Sequence, residues 1–247
     1  MSVLIEVDRL TKSFGPFIAV DDINFSLKRG EVLGFLGPNG AGKTTTMRMI
    51  TGFLSPTKGR ISVCGHDVSE NPIEIKEKIG YVPEGAPLYG EMTVMNFLKF
   101  IADIRKIPKD KVNDAIHSAI KKLGLELVLY QQIETLSKGY KRRVGLSQAI
   151  IHEPDVLILD EPTDGLDPNQ KHEVRRLIKE MSSTKAIIIS THILEEVDAV
   201  CTRAMIIANG RMIVDKSPKD LLLGSPKGAS LDDVFRTLTI GNSGDNK

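Results

Sequence analysis

Residues 37–44 read GPNGAGKT, a glycine-rich segment with the spacing of a phosphate-binding loop: Gly, four residues, then Gly-Lys-Thr. Glycines let the chain curl so that backbone N–H groups converge on phosphate oxygens, and a following helix start adds partial positive charge. We expect Lys43 to reach the β- and γ-phosphates of a nucleotide and the Thr44 hydroxyl to ligate Mg²⁺. The expected phosphate-contacting residues are Gly37, Pro38, Asn39, Gly40, Ala41, Gly42, Lys43, Thr44 and Thr45.

Two other readings of this segment fit less well. A glycine-rich turn with a surface lysine would not need the apolar strand before the loop or the helical pattern after it. A dinucleotide fingerprint fails because Thr45 stands where the third glycine belongs.

A pair of acids follows the apolar run in VLILDEP, residues 156–162. Successive strand residues face opposite ways, so Asp160 and Glu161 can take different roles where the strand ends. Asp160 suits Mg²⁺, directly or through water, and Glu161 suits a water that attacks the γ-phosphate. Alone, such a pair is also typical of an ordinary acidic turn.

A histidine follows a third apolar run, KAIIIST, at residue 192. Most histidines after buried strands are structural. In an open α/β sheet, however, ligands bind at the carboxyl ends of the strands, where Lys43 and Asp160 are also expected. We therefore expect His192 to contact the γ-phosphate or the attacking water.

The elements that position these residues alternate along the chain. Apolar runs suited to buried strands alternate with helical patterns, which predicts an α/β fold with a mostly parallel sheet. We predict one domain over residues 1–216, with a core of 1–91 and 154–216 and an inserted helical subdomain over 92–153. A short tail, 217–247, shows two helical patches and a polar end, and Asn209-Gly210 is the predicted turn of a hairpin.

Composition and charge argue against a polyanion-binding protein, a disulfide-stabilised protein and a membrane-spanning chain. Lys and Arg number 33 against 32 Asp and Glu, so net charge does not favour polyanions or membrane surfaces. The two cysteines, Cys64 and Cys201, have no metal-ligand spacing and favour a reducing compartment. The first residues, MSVLIEVDRL, do not show the pattern of a signal peptide, and the sequence shows no apolar run of about 20 residues, so we expect any membrane role to act through a partner.

Four further segments, with the phosphate loop and the acids, resemble the ATP-binding cassette (ABC) family over nearly the whole chain. LSKGYKRR, residues 136–143, resembles the family signature Leu-Ser-Gly-Gly-Gln, with Lys138 and Tyr140 replacing the first Gly and the Gln. The others are GLDP at 165–168, like the D-loop; STH at 190–192, like the switch histidine; and SFG at 13–15, like the adenine-stacking loop.

The resemblance implies a RecA-like phosphate-loop NTPase fold with an N-terminal antiparallel β subdomain. It implies that ATP and Mg²⁺ bind, that Phe14 stacks on adenine, and that Thr44, Asp160 and Glu84 serve the metal, with Glu161 and His192 catalytic. Glu84 stands where the family usually has Gln, and it could instead face solvent.

The resemblance also implies that two cassettes pair head to tail. The signature then completes the partner's ATP site through Leu136, Ser137, Lys138, Gly139 and Tyr140, and Asp167 is the D-loop acid. A solvated basic face is the alternative for Arg142 and Arg143.

These features predict the ATPase subunit of a membrane transporter. We expect two cassettes to pair, most simply as a homodimer. We expect the pair to bind separate multi-span subunits and to lie peripherally on the cytoplasmic face of the membrane. The branch of the family that the sequence resembles serves multidrug, haem, polysaccharide and motility-associated export; the cargo and the direction of transport stay open.

The alternative is a cassette acting on nucleic acid or ribosomes, but the sequence lacks sustained heptads and a basic stripe, so we expect no nucleic-acid partner. A soluble phosphate-loop kinase would leave the signature unexplained.

Overall fold

The structure is a computed structural model that describes residues 2–85, 87–223 and 231–240, except the side chains of 239 and 240. Its strands are β1 (Val3–Phe14), β2 (Phe17–Lys28), β3 (Val32–Leu36), β4 (Lys58–Val63), β5 (His66–Asp67), β6 (Ile79–Val82), β7 (Val156–Asp160), β8 (Ala186–Thr191), β9 (Arg203–Ala208) and β10 (Arg211–Lys216). Its α-helices are α1 (Lys43–Ile50), α2 (Pro72–Lys78), α3 (Val94–Ile104), α4 (Val112–Leu123), α5 (Lys138–Ile150), α6 (Pro168–Ser182), α7 (Leu194–Val200), α8 (Pro218–Leu223) and α9 (Leu231–Ile240).

The central sheet has six strands in the order β10-β9-β3-β8-β7-β6. All neighbouring pairs are parallel except β10 and β9, which form the predicted hairpin. The turn residues Asn209 and Gly210 have φ of 51° and 76°, the left-handed values that a tight hairpin turn requires. Every residue of β3, β7 and β8 is buried, which explains their continuous apolar runs.

The two faces of this sheet enter different cores. Val156 and Ile158 face a core shared with α1 and the N-terminal strands, while Leu157 and Leu159 face a core shared with α3, α4, α5 and α6. This alternation follows from the period of two along a strand. As a consequence, neighbouring residues at the end of a strand direct their side chains toward different cores.

A second, antiparallel sheet covers the first of these cores in the order β2-β1-β4-β5. Its alternating residues, including Leu27 and Val63, are fully buried against α1. The predicted N-terminal antiparallel subdomain is therefore confirmed, together with the α/β fold.

The predicted helical insertion is present as α3, α4 and α5, with 3-10 turns at Glu126–Val128 and Ile133–Thr135. Thr93 caps α3 by accepting a hydrogen bond from Asn96 N at 3.3 Å, and Gly124 ends α4 in the left-handed region with φ 59°. The division of the chain at residues 91, 153 and 216 stays a prediction.

The two helical patches of the tail are α8 and α9. Leu221 is buried against Leu36 and Leu194, and Leu231 and Phe235 pack on the same cluster, so these helices lie on the core. The polar end, 241–247, lies outside the described residues. In the described ranges, no helix is long and apolar enough to cross a membrane.

Candidate active site

The phosphate loop joins β3 to α1, the context that its sequence predicts. Gly40 and Gly42 have φ of 80° and 102°, which L side chains rarely adopt. Gly42 is also closely packed, because a Cβ there would lie 2.5 Å from Ala19 O. Side chains at Gly37 would run into the carbonyl oxygen of Ile207. The loop is thus held in one curled path between β2 and β9.

Lys43 opens α1 and is only 7% exposed. Its Nζ donates to Gly37 O at 2.7 Å and Pro38 O at 3.2 Å, so the ammonium spans the loop. Burial lowers its pKa, while the charges of Glu161, Asp160 and Glu84 oppose that shift. A triphosphate in the loop would add negative charge in direct contact with this buried ammonium.

Asp160 ends β7 with 1% exposure and lies beside α1. Its Oδ2 accepts from Thr44 Oγ1 at 3.1 Å, and its Oδ1 accepts from Ser190 Oγ. A hydroxyl and a carboxylate in contact are the oxygen ligands that Mg²⁺ prefers, and phosphate oxygens and water usually complete its shell. No three His, Cys, Asp or Glu side chains in the described ranges form an all-protein metal cage. The donor set therefore fits Mg²⁺ held jointly with phosphates.

Glu161 leaves the strand in the left-handed region, with φ 49°. Its backbone N–H donates to Ser190 O at 3.1 Å, and its carboxylate turns to His192, whose Nδ1 lies 3.0 Å from Oε2 and 3.1 Å from Oε1. The side chain of Glu161 is 12% exposed and that of His192 is 54% exposed. This pair presents a carboxylate and an imidazole to the same cleft, as proton chemistry on a water requires.

Arg142 braces the Glu161 loop from α5. Its Nε donates to Pro162 O at 2.9 Å and its Nη2 donates to Glu161 O, so the guanidinium is half-buried rather than solvated. The basic run did not reveal this contact, because it depends on how α5 packs against the loop. Arg143 instead stacks on Tyr140, with its guanidinium carbon 5.6 Å from the ring centroid.

An open cleft of about 540 Å³ brings together residues from five separate segments. Phe14 is 50% exposed and Phe17 is 61% exposed, and both line the cleft from the turn between β1 and β2. Glu84 is exposed and lines the cleft from the segment that follows β6. Phe17 and Asp164 are lining residues that sequence patterns did not single out. The lining residues are Phe14, Phe17, Ala19, Asn39, Gly40, Ala41, Gly42, Lys43, Thr44, Thr45, Glu84, Asp160, Glu161, Asp164 and His192.

The signature segment lies outside this cleft, as does Asp167. Ser137 is exposed and caps α5, accepting from Tyr140 N at 3.4 Å. Asp167 caps α6 in the same way, accepting from Gln170 N at 2.9 Å. The two helix starts pack together, because a Cβ at Gly139 would lie 2.5 Å from Gln170 atoms. Leu136 is buried, whereas Lys138 is exposed and covers Gly165.

Comparisons with known proteins agree with this geometry. Residues 20–164 match the family described as ABC transporter. The chain is 37% identical over 219 residues to the probable multidrug ABC transporter ATP-binding protein YbhF of Escherichia coli, covering 88% of this chain but 38% of that protein. It is 39% identical over 215 residues to the bacitracin transport ATP-binding protein BcrA of Bacillus licheniformis, covering 86% and 69%.

Among solved structures, cbiO1 from Clostridium perfringens, part of the ABC transporter complex cbiONQ, is 31% identical with a TM-score of 0.82. That likeness covers 96% of this chain and 95% of cbiO1. The family match spans more than half of the sequence and includes the phosphate loop and both strand-end acids. The chain therefore belongs to the ABC transporter family, in which ATPase activity is general.

Proposed function

We propose that this chain binds and hydrolyses ATP to power a membrane transporter, an exporter, through ATP-driven head-to-tail pairing of two cassettes. One observation carries the proposal. The cleft holds the phosphate loop, Asp160, Glu161 and His192 together, while Ser137 and Lys138 of the signature lie exposed outside the cleft of the same chain.

Each side chain of the cleft has a definite task in this proposal. Loop N–H groups and Lys43 hold the β- and γ-phosphates, and Thr44 and Asp160 would hold Mg²⁺, which when bound neutralises phosphate charge. Glu161 orients a water and takes its proton as the water oxygen bonds to the γ-phosphorus, while the bond from the γ-phosphorus to the β–γ bridging oxygen breaks and ADP leaves. His192 holds the Glu161 carboxylate at 3.0 Å and would contact the γ-phosphate or the attacking water of a bound nucleotide. Phe14 offers its exposed ring to adenine, and Glu84 serves the metal or its water.

Pairing would complete the site with the partner's signature. Ser137 is exposed at the start of α5, so the helix N-terminus is free to face a γ-phosphate on another chain. A closed two-fold arrangement would use the cleft and the signature of each chain once. We propose a homodimer as the simplest form.

The names of relatives support export and membrane partners. YbhF is named for multidrug transport and BcrA for bacitracin transport, and cbiO1 is part of a transporter complex. We propose that separate multi-span subunits bind this cassette at the cytoplasmic face of the membrane.

Substitution of Glu161 by Gln tests the catalytic assignment. We expect turnover to fall by at least about a hundredfold, because an amide cannot take the proton, while ATP still binds. Steady-state hydrolysis and a fluorescent ATP analogue measure the two effects. Lys43→Ala is the contrasting variant and should weaken nucleotide binding itself. Near-normal turnover in both variants would remove this cleft as the hydrolytic site.

Capture from detergent-solubilised membranes tests the partner assignment. A multi-span protein retained by the tagged chain supports the transporter. Ribosomal protein or nucleic acid, retained without such a partner, would favour the alternative class of cassette.

A further inference from the structure

A carboxylate outside the cleft is buried just behind His192. Glu196 lies in the first turn of α7 with 2% exposure. Its Oε2 accepts a hydrogen bond from Thr191 Oγ1 at 2.7 Å. Thr191 is the last residue of β8 and directly precedes the histidine, so this contact reaches the segment that carries His192.

The Thr191 hydroxyl links both sides of the histidine. It donates to Glu196 and accepts from Ile193 N at 3.0 Å. The N–H of Glu196 also donates to Ile193 O at 3.1 Å. The residues on either side of His192 are therefore tied to one another and to Glu196, which leaves the imidazole aimed at Glu161.

Burial of Glu196 is costly, which argues against a purely space-filling role. Desolvation raises the pKa of Glu196, and the hydrogen bond from Thr191 and the charges of Arg175 and Lys171 oppose that shift, while the charge of Glu161 adds to it. Within the described residues, its Oε1 has no hydrogen-bond partner. A leucine would fill similar space without the desolvation cost. The satisfied oxygen is the one that contacts the histidine segment.

We propose that Glu196 is a positioning residue for ATP hydrolysis: through Thr191 it fixes the segment that holds His192 Nδ1 against the Glu161 carboxylate. This inference rests on the proposed roles of Glu161 and His192. It assigns no contact between Glu196 and ATP. It therefore predicts an effect on kcat that disappears when His192 is absent.

The test is a double-mutant cycle on steady-state ATP hydrolysis. We expect Glu196→Leu to lower kcat about tenfold, the effect of losing one buried hydrogen bond, with KM for ATP within about twofold. In a His192→Ala background, the same substitution should cause no further loss. Glu196→Gln should restore kcat, because its amide oxygen still accepts from Thr191.

Matched variants separate positioning from folding. Glu195→Leu changes an exposed carboxylate on the same helix and should leave kcat unchanged. If Glu196→Leu does not fold, Thr191→Val and Thr191→Ser ask the same question, and only Val should lower kcat. Thermal unfolding of each variant checks that the protein is folded.

The outcomes also separate this inference from the proposed function. Equal losses with and without His192, an unchanged kcat, or full activity of His192→Ala would overturn the positioning role. Retained turnover in both Lys43→Ala and Glu161→Gln would instead overturn the hydrolytic site.

Discussion

At the scale of single residues, strand parity explains how adjacent acids receive different surroundings. Asp160 continues the face of Val156 and Ile158, which packs toward α1, and so it meets the Thr44 hydroxyl 3.1 Å away. Glu161 would face the opposite layer if β7 continued. Its left-handed backbone, with φ 49°, instead turns the carboxylate to His192. A non-glycine residue in this region costs free energy, of the order of 1–3 kcal/mol, and such strain clusters at functional sites.

Glu84 allows a direct test of charge in the cleft. It is exposed at the cleft, and its charge acts on Lys43 together with those of Asp160 and Glu161. We expect Glu84→Gln to stay active but to shift the Mg²⁺ concentration at half-maximal activity upward, because a hard cation prefers a carboxylate to an amide. A Mg²⁺ titration of hydrolysis at fixed ATP measures this. Superimposable curves for the two proteins would mean that the carboxylate faces solvent without effect.

The sequence predicts some residues of the candidate site and misses others. Lys43, Asp160, Glu161 and His192 follow from motif spacing, since parallel strands bring their carboxyl ends to one edge. Arg142 does not, because a charge run gives no sign that one guanidinium turns inward to Pro162 O. The contacts of such residues depend on packing between elements that are distant in sequence.

At the scale of elements, local patterns predict most of the fold. The apolar runs of β3, β7 and β8, the helical periods of α3, α4 and α5, and the Asn209-Gly210 turn all correspond to observed elements. The order of the strands does not follow from local patterns, because β3 pairs with β8 and β9, which come far later in the chain. Long-range pairing reflects how the two cores close, and only the three-dimensional structure shows it.

The contact between α5 and β6 shows how tightly these elements are packed. A Cβ at Gly80 would run into the carbonyl oxygen of Ala149 near the end of α5. We expect Gly80→Ala to destabilise the protein by roughly 1–3 kcal/mol, because a core at this density cannot take up a methyl group. The midpoint of thermal unfolding should fall by about 2–4 °C per kcal/mol.

Gly90→Ala is the control for this prediction. Its added methyl would meet the side chain of the exposed Glu134 at 3.1 Å rather than a backbone oxygen, so we expect a smaller loss of stability than for Gly80→Ala. Equal melting temperatures for Gly80→Ala and wild type would show that α5 shifts freely on the sheet, and that the signature helix is not held by β6.

At the scale of the whole molecule, the proposed pairing uses two different surfaces of each chain. The cleft collects a buried ammonium, a hydroxyl and carboxylates suited to Mg²⁺-ATP, while the start of α5 points its exposed cap elsewhere. The start of α5 packs against the start of α6, where Gly139 lies against Gln170. Pairing of two chains would join each cleft to a signature across the interface.

Ser137→Arg tests that pairing without disturbing the cleft of its own chain. Ser137 is exposed and lies outside the cleft lining, so nucleotide binding by the monomer should be unchanged. The added bulk and charge would occupy the space that the partner's γ-phosphate needs, so ATP-driven dimers should not form. Light scattering with ATP and Mg²⁺, in the slowly hydrolysing Glu161→Gln background, measures the pairing. Ser183→Arg adds the same charge at an exposed position at the far end of α6 and should pair normally. Dimers of unchanged stability in the Ser137→Arg protein would show that the start of α5 does not enter a shared ATP site.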